Sequence, residues 1–140
     1  MENEQTHHVL SFGGGVDSTT MLSMHLYRDK AASWLGVTRE EIDKHLPKFT
    51  ACVFADTGSE CPWTYENIEM AKEFCEFHNI LFKQVSREDY FNDDKSLFDF
   101  LTRIGSIPVL PGAHHTCSLK FKVEPLRKWA EETFGDERYT

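Results

Sequence analysis

The chain has 140 residues, a formal net charge of −8, and hydrophobic and charged fractions of 40% and 27%. This length predicts a single domain over residues 1–140 that is large enough to bury a core. No apolar run approaches the length of a membrane span, and residues 1–8 are too polar for a secretion signal, so we expect a cytoplasmic protein without a membrane partner. The acidic charge argues against a nucleic-acid partner, because nucleic-acid-binding proteins need a large basic face.

The opening segment predicts a strand, a glycine-rich loop and a helix. An apolar strand is predicted from Val9 to Phe12, followed by Gly13–Gly15 and by a helix from Ser18 to about Arg28. Such a loop binds phosphate, because glycines let the backbone approach an anion and the helix dipole is positive at its N-terminus. Asp17 and Ser18 stand where a helix needs a capping oxygen, and Ser18 can also donate its hydroxyl. The alternative is a flexible turn followed by a helix cap.

The rest of the chain alternates predicted strands and helices. Apolar runs predict strands at 49–55 and 80–85, and the first of these is apolar throughout, as is typical of a strand covered on both faces. The alternation predicts an α/β fold in which helices cover both faces of a parallel sheet. Predicted helices begin at a capping box over 38–41 and span 62–79, 97–104 and 125–134, with a loop over 106–116.

The helix predicted over 62–79 carries Trp63, Met70, Phe74 and Phe77 at helical spacing. This stripe predicts core packing. The chain has no Cys-x-x-Cys pair, and zinc or iron–sulfur sites need tighter cysteine clusters, so no metal centre is predicted. Two of the cysteines, Cys52 in an apolar run and Cys75 on this helix, are expected to be small buried residues.

Basic residues are concentrated in a short segment near the C-terminal end. Lys120, Lys122, Arg127 and Lys128 lie there against one carboxylate, Glu124. An acidic protein can still bind an anionic nucleotide where positive groups lie close together. We therefore expect a local positive site, and the alternative for these residues is an ordinary solvated helix face.

Three segments resemble one family. Residues 11–18, Ser-Phe-Gly-Gly-Gly-Val-Asp-Ser, resemble the PP-loop of ATP pyrophosphatases. Residues 56–65 resemble the Asp-Thr-Gly-x-x-x-Pro-x-Thr-Tyr segment of the phosphoadenosine phosphosulfate (PAPS) reductase family, and residues 117–126 resemble its Lys-Val-x-Pro-Leu segment. The resemblance implies a Rossmann-like fold of the adenine nucleotide α-hydrolase type.

The chain departs from this family in two respects. The cysteines that hold the cluster of iron–sulfur adenylylsulfate reductases are missing apart from Cys117, so no iron–sulfur cluster is expected, and the Glu-Cys-Gly segment of PAPS reductases is absent. Cys117 itself could be a thiolate or plain packing. The sequence also stops about where the family's next strand would start, so we expect either a C-terminal truncation or a compact variant.

By resemblance, the ligand is ATP or a sulfonucleotide (PAPS or adenylylsulfate), and the reaction is sulfur-transfer-type chemistry at the α-phosphate or its attached sulfate. Asp17 would cap the helix and orient the loop, or share in binding Mg²⁺ if ATP is the substrate, and the alternative is that it only caps the helix. Lys120 and Lys122 would neutralise negative charge on a leaving or bridging oxygen. The expected nucleotide-binding residues are Ser11, Gly13, Gly14, Gly15, Asp17, Ser18, Phe54, Asp56, Thr57 and Gly58.

A different class of function is a non-catalytic adenine-nucleotide-binding module of a larger assembly. The missing redox cysteines favour it, while the intact Asp17–Ser18 pair favours an enzyme. A partner subunit, or a second copy of the chain, is compatible with either class.

Overall fold

Three parallel strands and the helices that connect them make up most of the protein. The computed structural model describes residues 6–107, 116–135 and 139–140; at residue 116 it describes the backbone and not the side chain. Of the loop predicted over 106–116, residues 108–115 lie outside the described residues. The elements are β1 (Val9–Ser11), α1 (Val16–Leu26), α2 (Arg28–Leu35), α3 (Arg39–His45), β2 (Ala51–Asp56), α4 (Pro62–Phe77), β3 (Leu81–Ser86), a 3₁₀ turn (Arg87–Asp89), α5 (Leu97–Ile104), α6 (Thr116–Ser118), a π turn (Leu119–Val123) and α7 (Glu124–Phe134).

Strand β2 is the centre of the sheet, with β1 and β3 parallel to it on either side. The predicted α/β fold with a parallel sheet is confirmed, and the arrangement is Rossmann-like. The chain also returns to the outer edge of β1, where Tyr139 pairs in parallel with His7. There the Val9 N–H donates to the Thr140 carbonyl at 2.7 Å.

The sheet is covered on both faces, as the continuous apolar run of β2 predicts. Cys52 and Phe54 face a core formed with α1 and α4, whereas the alternate residues Val53 and Ala55 face a core formed with α7. A hydrogen bond with Cys75, together with burial, raises the pKa of the Cys52 thiol. Both cysteines are buried, as predicted. Within the described ranges, no helix combines the length and the apolar character that crossing a bilayer requires.

Helix α2 is absent from the sequence prediction, which continues the first helix to Arg28. The helix breaks at Tyr27 (φ −122°, ψ 52°), and α2 begins immediately afterwards. The buried Arg28 guanidinium donates to Asp43 at 2.8 Å and to the Leu46 carbonyl at 2.9 Å. These partners lie fifteen or more residues ahead, so a local pattern does not reveal them. The capping box at Thr38 is confirmed.

The prediction for the buried face of α4 is wrong. Trp63 is 65% exposed, and Met70, Phe74 and Phe77 are 54%, 52% and 81% exposed. Helix α4 carries apolar residues on two neighbouring faces, and only one of them can meet the sheet. That face consists of Ile68, Ala71 and Cys75.

The C-terminal helical segment begins earlier than the sequence predicts. The backbone is helical from Thr116 to Phe134 and includes the π turn, so Pro125 lies within it rather than near its start. Phe121 on the π turn is fully buried, and Cys117 is half-buried. The extra length places Lys120 and Lys122 on the π turn, ahead of the predicted start of the helix.

Candidate functional site

The loop between β1 and α1 lies at the carboxyl edge of the sheet. Gly14 adopts φ +70°, and a Cβ atom there would lie 3.6 Å from Thr64 and from Ile68 of α4. At Gly13 and Gly15 a Cβ would meet no heavy atom within 4 Å. One glycine therefore rests on α4, while the other two present their backbone to open space.

The N-terminus of α1 offers unpaired donors to this space. The Gly15 carbonyl accepts from the Thr19 N–H at 3.1 Å, so the N–H groups of residues 16–18 have no acceptor within the helix. The Ser18 hydroxyl turns back into the loop, where it accepts from the Gly13 N–H and donates to the Gly15 carbonyl, each at 3.3 Å. These distances are long for hydrogen bonds, and an anion can compete for the same groups.

Asp17 does not cap α1, which corrects the prediction that it does. The N-cap residue is Gly15, without a side-chain capping bond, because the helix begins one residue before Asp17. The Asp17 carboxylate is exposed in the first turn and forms no hydrogen bond or ion pair with the part of the chain that the structure describes. A negative charge there still interacts favourably with the helix dipole.

Asp56, the last residue of β2, is the centre of a small hydrogen-bond network at the same edge. One carboxylate oxygen accepts from the Gly58 N–H at 2.7 Å and from the Tyr65 hydroxyl at 2.9 Å. The other oxygen accepts from Gln84 at 3.0 Å. Burial, followed by the hydrogen bond to the Asp56 carboxylate, raises the pKa of Tyr65. The network fixes the direction of the chain as it leaves β2.

Thr57 and Gly58 form a tight turn against the start of α5. Thr57 is buried, and its carbonyl accepts from the Leu97 N–H at 2.8 Å. Gly58 adopts φ +69°, and a Cβ atom there would lie 2.8 Å from Cβ of Ser96. Both the conformation and the close approach require glycine at position 58.

Lys122 connects the C-terminal helical segment to this turn. Its ammonium lies 3.5 Å from the Glu60 carboxylate, and the same carboxylate oxygen accepts from the Thr57 hydroxyl at 3.0 Å. The Lys122 side chain is 44% exposed. The fold thus brings two sequence-predicted segments, 56–65 and 117–126, into contact.

Lys120 lies in an internal ionic cluster. Its ammonium is 2.9 Å from Asp94 and 3.2 Å from Asp93, and it lies 4.6 Å from the centre of the Phe100 ring. The side chain is only 18% exposed. Arg103 and then Lys120 hold the pKa of Asp94 well below its usual range. This geometry gives Lys120 a structural role, in contrast to the catalytic role expected from the sequence.

The predicted local excess of positive charge is balanced by carboxylates that lie outside residues 117–128. Besides the partners of the two lysines, Glu131 lies 3.6 Å from Arg127 and 3.2 Å from Lys128. The sequence segment contains only Glu124, which pairs with Arg87 at 2.6 Å. Folding therefore adds acidic neighbours that a short window of sequence omits.

Arg87 was not singled out in the sequence. Its guanidinium is buried and donates to Asp93 at 2.7 Å, to Glu124 at 2.6 Å and to the Lys120 carbonyl at 2.8 Å. The hydrogen bond to Asp93 is the main cause of the raised pKa of Arg87. Arg87 thus connects the end of β3 to the π turn. An arginine that follows a strand carries no local sequence signal of that role.

The structure places Ser11 at the exposed edge of the sheet and Phe54 in the core. Ser11 ends β1 and is exposed at the carboxyl edge. The Phe54 ring is buried with its centre 6.5 Å from that of Tyr65. Because the Val53 carbonyl accepts from the Phe12 N–H, the main-chain groups of Phe54 face β3 instead of the glycine loop. Phe54 therefore belongs to the core and not to the surface of the site, contrary to the expectation.

Helix α4 links the glycine loop to the turn after β2, since Thr64 lies beside Gly14 and the Tyr65 hydroxyl donates to Asp56. Among residues 6–107, 116–135 and 139–140, no three His, Cys, Asp or Glu side chains are grouped as metal ligands. Comparisons of the chain with protein-family models, with curated proteins and with solved structures find no match.

Proposed function

We propose that the chain binds an adenine nucleotide, ATP or a sulfonucleotide, through the loop between β1 and α1, and acts at its α-phosphate or the attached sulfate. The proposal includes a PP-loop fold of the adenine nucleotide α-hydrolase type and sulfur-transfer chemistry like that of PAPS reductases. One observation carries it: the unpaired N–H groups of residues 16–18 and the exposed backbone at Gly13 and Gly15 lie in one loop at the carboxyl edge of the sheet.

Phosphate oxygens are bound in this proposal by main-chain donors. The N–H groups at the start of α1 have no competing acceptor in the helix, and the helix dipole favours negative charge there. The Ser18 hydroxyl exchanges its 3.3 Å contact with the Gly15 carbonyl for a phosphate oxygen. Because charge-assisted hydrogen bonds are stronger than neutral ones, this exchange favours the bound state.

Asp17 fits a role in holding Mg²⁺ when ATP is the ligand. Mg²⁺ in nucleotide sites is often bound by one or two carboxylates together with substrate phosphates. The exposed Asp17 carboxylate lies one residue from Ser18 and has no partner among the described residues, so it is available for such a role. When bound, the ion supplies charge neutralisation at the phosphates.

Lys122 is the cation that we assign to charge developing on a leaving or bridging oxygen. Its 3.5 Å contact with Glu60 is loose, and its exposure allows the ammonium to turn toward the sheet edge. Lys120 supports it indirectly, because its ion pairs anchor the π turn that carries both lysines.

A non-catalytic nucleotide-binding module is the second candidate. It is favoured by the ion pairs of Lys120 and Arg127, which leave fewer cations free for catalysis. Release of pyrophosphate from ATP, measured with and without sulfur-containing acceptors, separates the two classes. Turnover supports the enzyme, and nucleotide binding without turnover of ATP or a sulfonucleotide supports the module.

Calorimetry against ATP, PAPS and adenylylsulfate tests the common premise of both candidates. We expect one of them to bind with a Kd of about 10 µM or lower, which corresponds to roughly −7 kcal/mol. Ser18→Ala should weaken that binding by about 1–3 kcal/mol, because a donor to the phosphate is lost. Ser33→Ala, at an exposed serine of α2, is the control and should bind like the wild type. Absence of binding by all three nucleotides would reject the proposal.

A further inference from the structure

An apolar groove lies along α4, beginning next to the glycine loop and extending toward the C-terminal end of the helix. A cavity of about 210 Å³ lies between α1 and α4, and its apolar lining continues along α4 toward Phe77. The side chains of Met70, Phe74 and Phe77 are all more than half exposed. We define the α4 groove by Leu22, Leu26, Tyr27, Met70, Phe74 and Phe77.

The exposed side chains follow the spacing of a helix-packing seam. Trp63, Met70 and Phe77 repeat every seven residues, and Phe74 lies between the last two. Apolar residues at alternating spacings of three and four are the pattern by which one helix packs along another. Exposed apolar surface of this extent and regularity is typical of an interaction site. A second helix laid along α4 would bury it.

The negative charge around the groove indicates which kind of helix could bind there. Helix α4 carries Glu66, Glu69, Glu73 and Glu76, against the single cation Lys72, which lies 4.0 Å from Glu69. Glu73 borders the groove directly. A second copy of α4 in the groove would bring these carboxylates together, and opposed like charges are destabilising across an interface. A helix with basic flanks would place cations against them instead.

We propose that the α4 groove binds an amphipathic helix of a partner protein, whose apolar residues are flanked by lysine and arginine. The length of α4, 16 residues, is about 24 Å at 1.5 Å per residue and matches about four turns of a bound helix. This mode, an apolar helix face laid into a groove, gives affinity from burial and orientation from the charged flanks. The argument for the groove does not use nucleotide binding, although the inner end of the cavity, at Phe12, Thr19 and Asn67, borders the glycine loop.

Two synthetic helical peptides of about 18 residues serve as probes, because that length covers α4. Both carry leucine and phenylalanine at seam positions, one with Lys and Arg flanks and the other with Glu at the same places. Fluorescence anisotropy with the full chain should show binding of the basic peptide at least about tenfold tighter than binding of the acidic one. Phe77→Ser should weaken it by about tenfold or more, whereas Phe98→Ser, at a phenylalanine of α5 that is also largely exposed, should not.

A charge exchange makes the test specific. The Glu66→Lys/Glu73→Lys variant should reverse the preference between the two peptides, since it alters only exposed side chains. Three results would overturn the proposal: equal affinity for both peptides, equal loss in the Phe77→Ser and Phe98→Ser variants, or no binding of the basic peptide. Dimerisation of the wild type that Phe77→Ser abolishes would also overturn it and would identify a second copy as the occupant.

Discussion

The Lys122 ammonium and the Glu60 carboxylate lie 3.5 Å apart and join the C-terminal helical segment to the turn that follows β2. Two positions earlier, Lys120 makes shorter contacts with Asp93 and Asp94 and is mostly buried. Both residues are lysines on the same π turn, but their surroundings differ. Their roles can therefore be separated by experiment.

We predict that the two alanine substitutions affect different properties, nucleotide binding for Lys122→Ala and thermal stability for Lys120→Ala. Lys122→Ala should weaken nucleotide binding by about 1.5–3 kcal/mol, the range for a hydrogen bond to a charged group, because the ammonium also attracts the negative phosphates before any reaction, and it should leave the Tm almost unchanged. Lys120→Ala should lower the Tm, because it leaves the Asp93 and Asp94 carboxylates with fewer cations. Calorimetry and thermal unfolding of both variants measure the two effects. Equal loss of affinity in both variants would contradict this division.

The features that could be predicted from the sequence are those determined by residues close by in the chain. The Thr38 capping box is a local signal and is confirmed, as is the predicted span of α5, which is followed by Gly105 at φ +66°. The parallel sheet follows from alternating strands and helices. What could not be predicted depends on distant partners: Lys120 contacts Asp94, which lies 26 residues earlier. The location of Phe54 in the core also depends on how β2 pairs with its neighbours.

The face that α4 buries gives a second prediction. Ile68 is 1% exposed, so Ile68→Ala should lower the free energy of unfolding by about 2–4 kcal/mol through lost burial and a cavity. Met70→Ala, two residues away on the exposed face, should cost less than about 1 kcal/mol. Urea denaturation of both variants measures the difference. The reverse order would show that the stripe at Met70 is the core face after all.

Gly58 gives a third prediction, which separates the cost of a positive φ from the cost of a steric contact with Ser96. Gly58→Ala must accept φ +69° and also place a Cβ 2.8 Å from that of Ser96. Gly36→Ala accepts a similar φ of +67° with no neighbour within 4 Å. We expect Gly36→Ala to lower the free energy of unfolding by about 1 kcal/mol and Gly58→Ala by about 2–4 kcal/mol. Equal losses would show that the Ser96 contact relaxes freely.

The ionic cluster around Asp93 and Asp94 predicts a dependence of stability on pH. Arg87 lowers the pKa of Asp93, and Arg103 lowers the pKa of Asp94. Because both folded-state pKa values lie below those of the unfolded chain, their stabilisation is complete above the unfolded pKa of about 4. It is lost as the pH falls through the folded values.

Asp94→Asn tests this dependence. The variant should be less stable than the wild type at pH 7, and the difference should narrow as the pH falls below about 4, since the Asp94 carboxylate of the unfolded wild-type chain then takes up a proton and the unfolded state gains stability. Urea denaturation between neutral and acidic pH measures both curves. A constant difference across that range would exclude the Asp94 ion pairs as its source.

Asp17 gives the last prediction, because two roles for its carboxylate differ in their response to Mg²⁺. If Asp17 shares in holding the ion, Asp17→Asn should weaken binding of ATP by about tenfold with Mg²⁺ present. In EDTA the same change should leave binding equal or slightly stronger, since it removes a negative charge near the phosphates. Glu76→Gln, at the far end of α4, should change neither value. Equal weakening of ATP binding with and without Mg²⁺ would instead show that Asp17 orients the loop, because a residue that shapes the loop acts on the phosphates whether or not the ion is there.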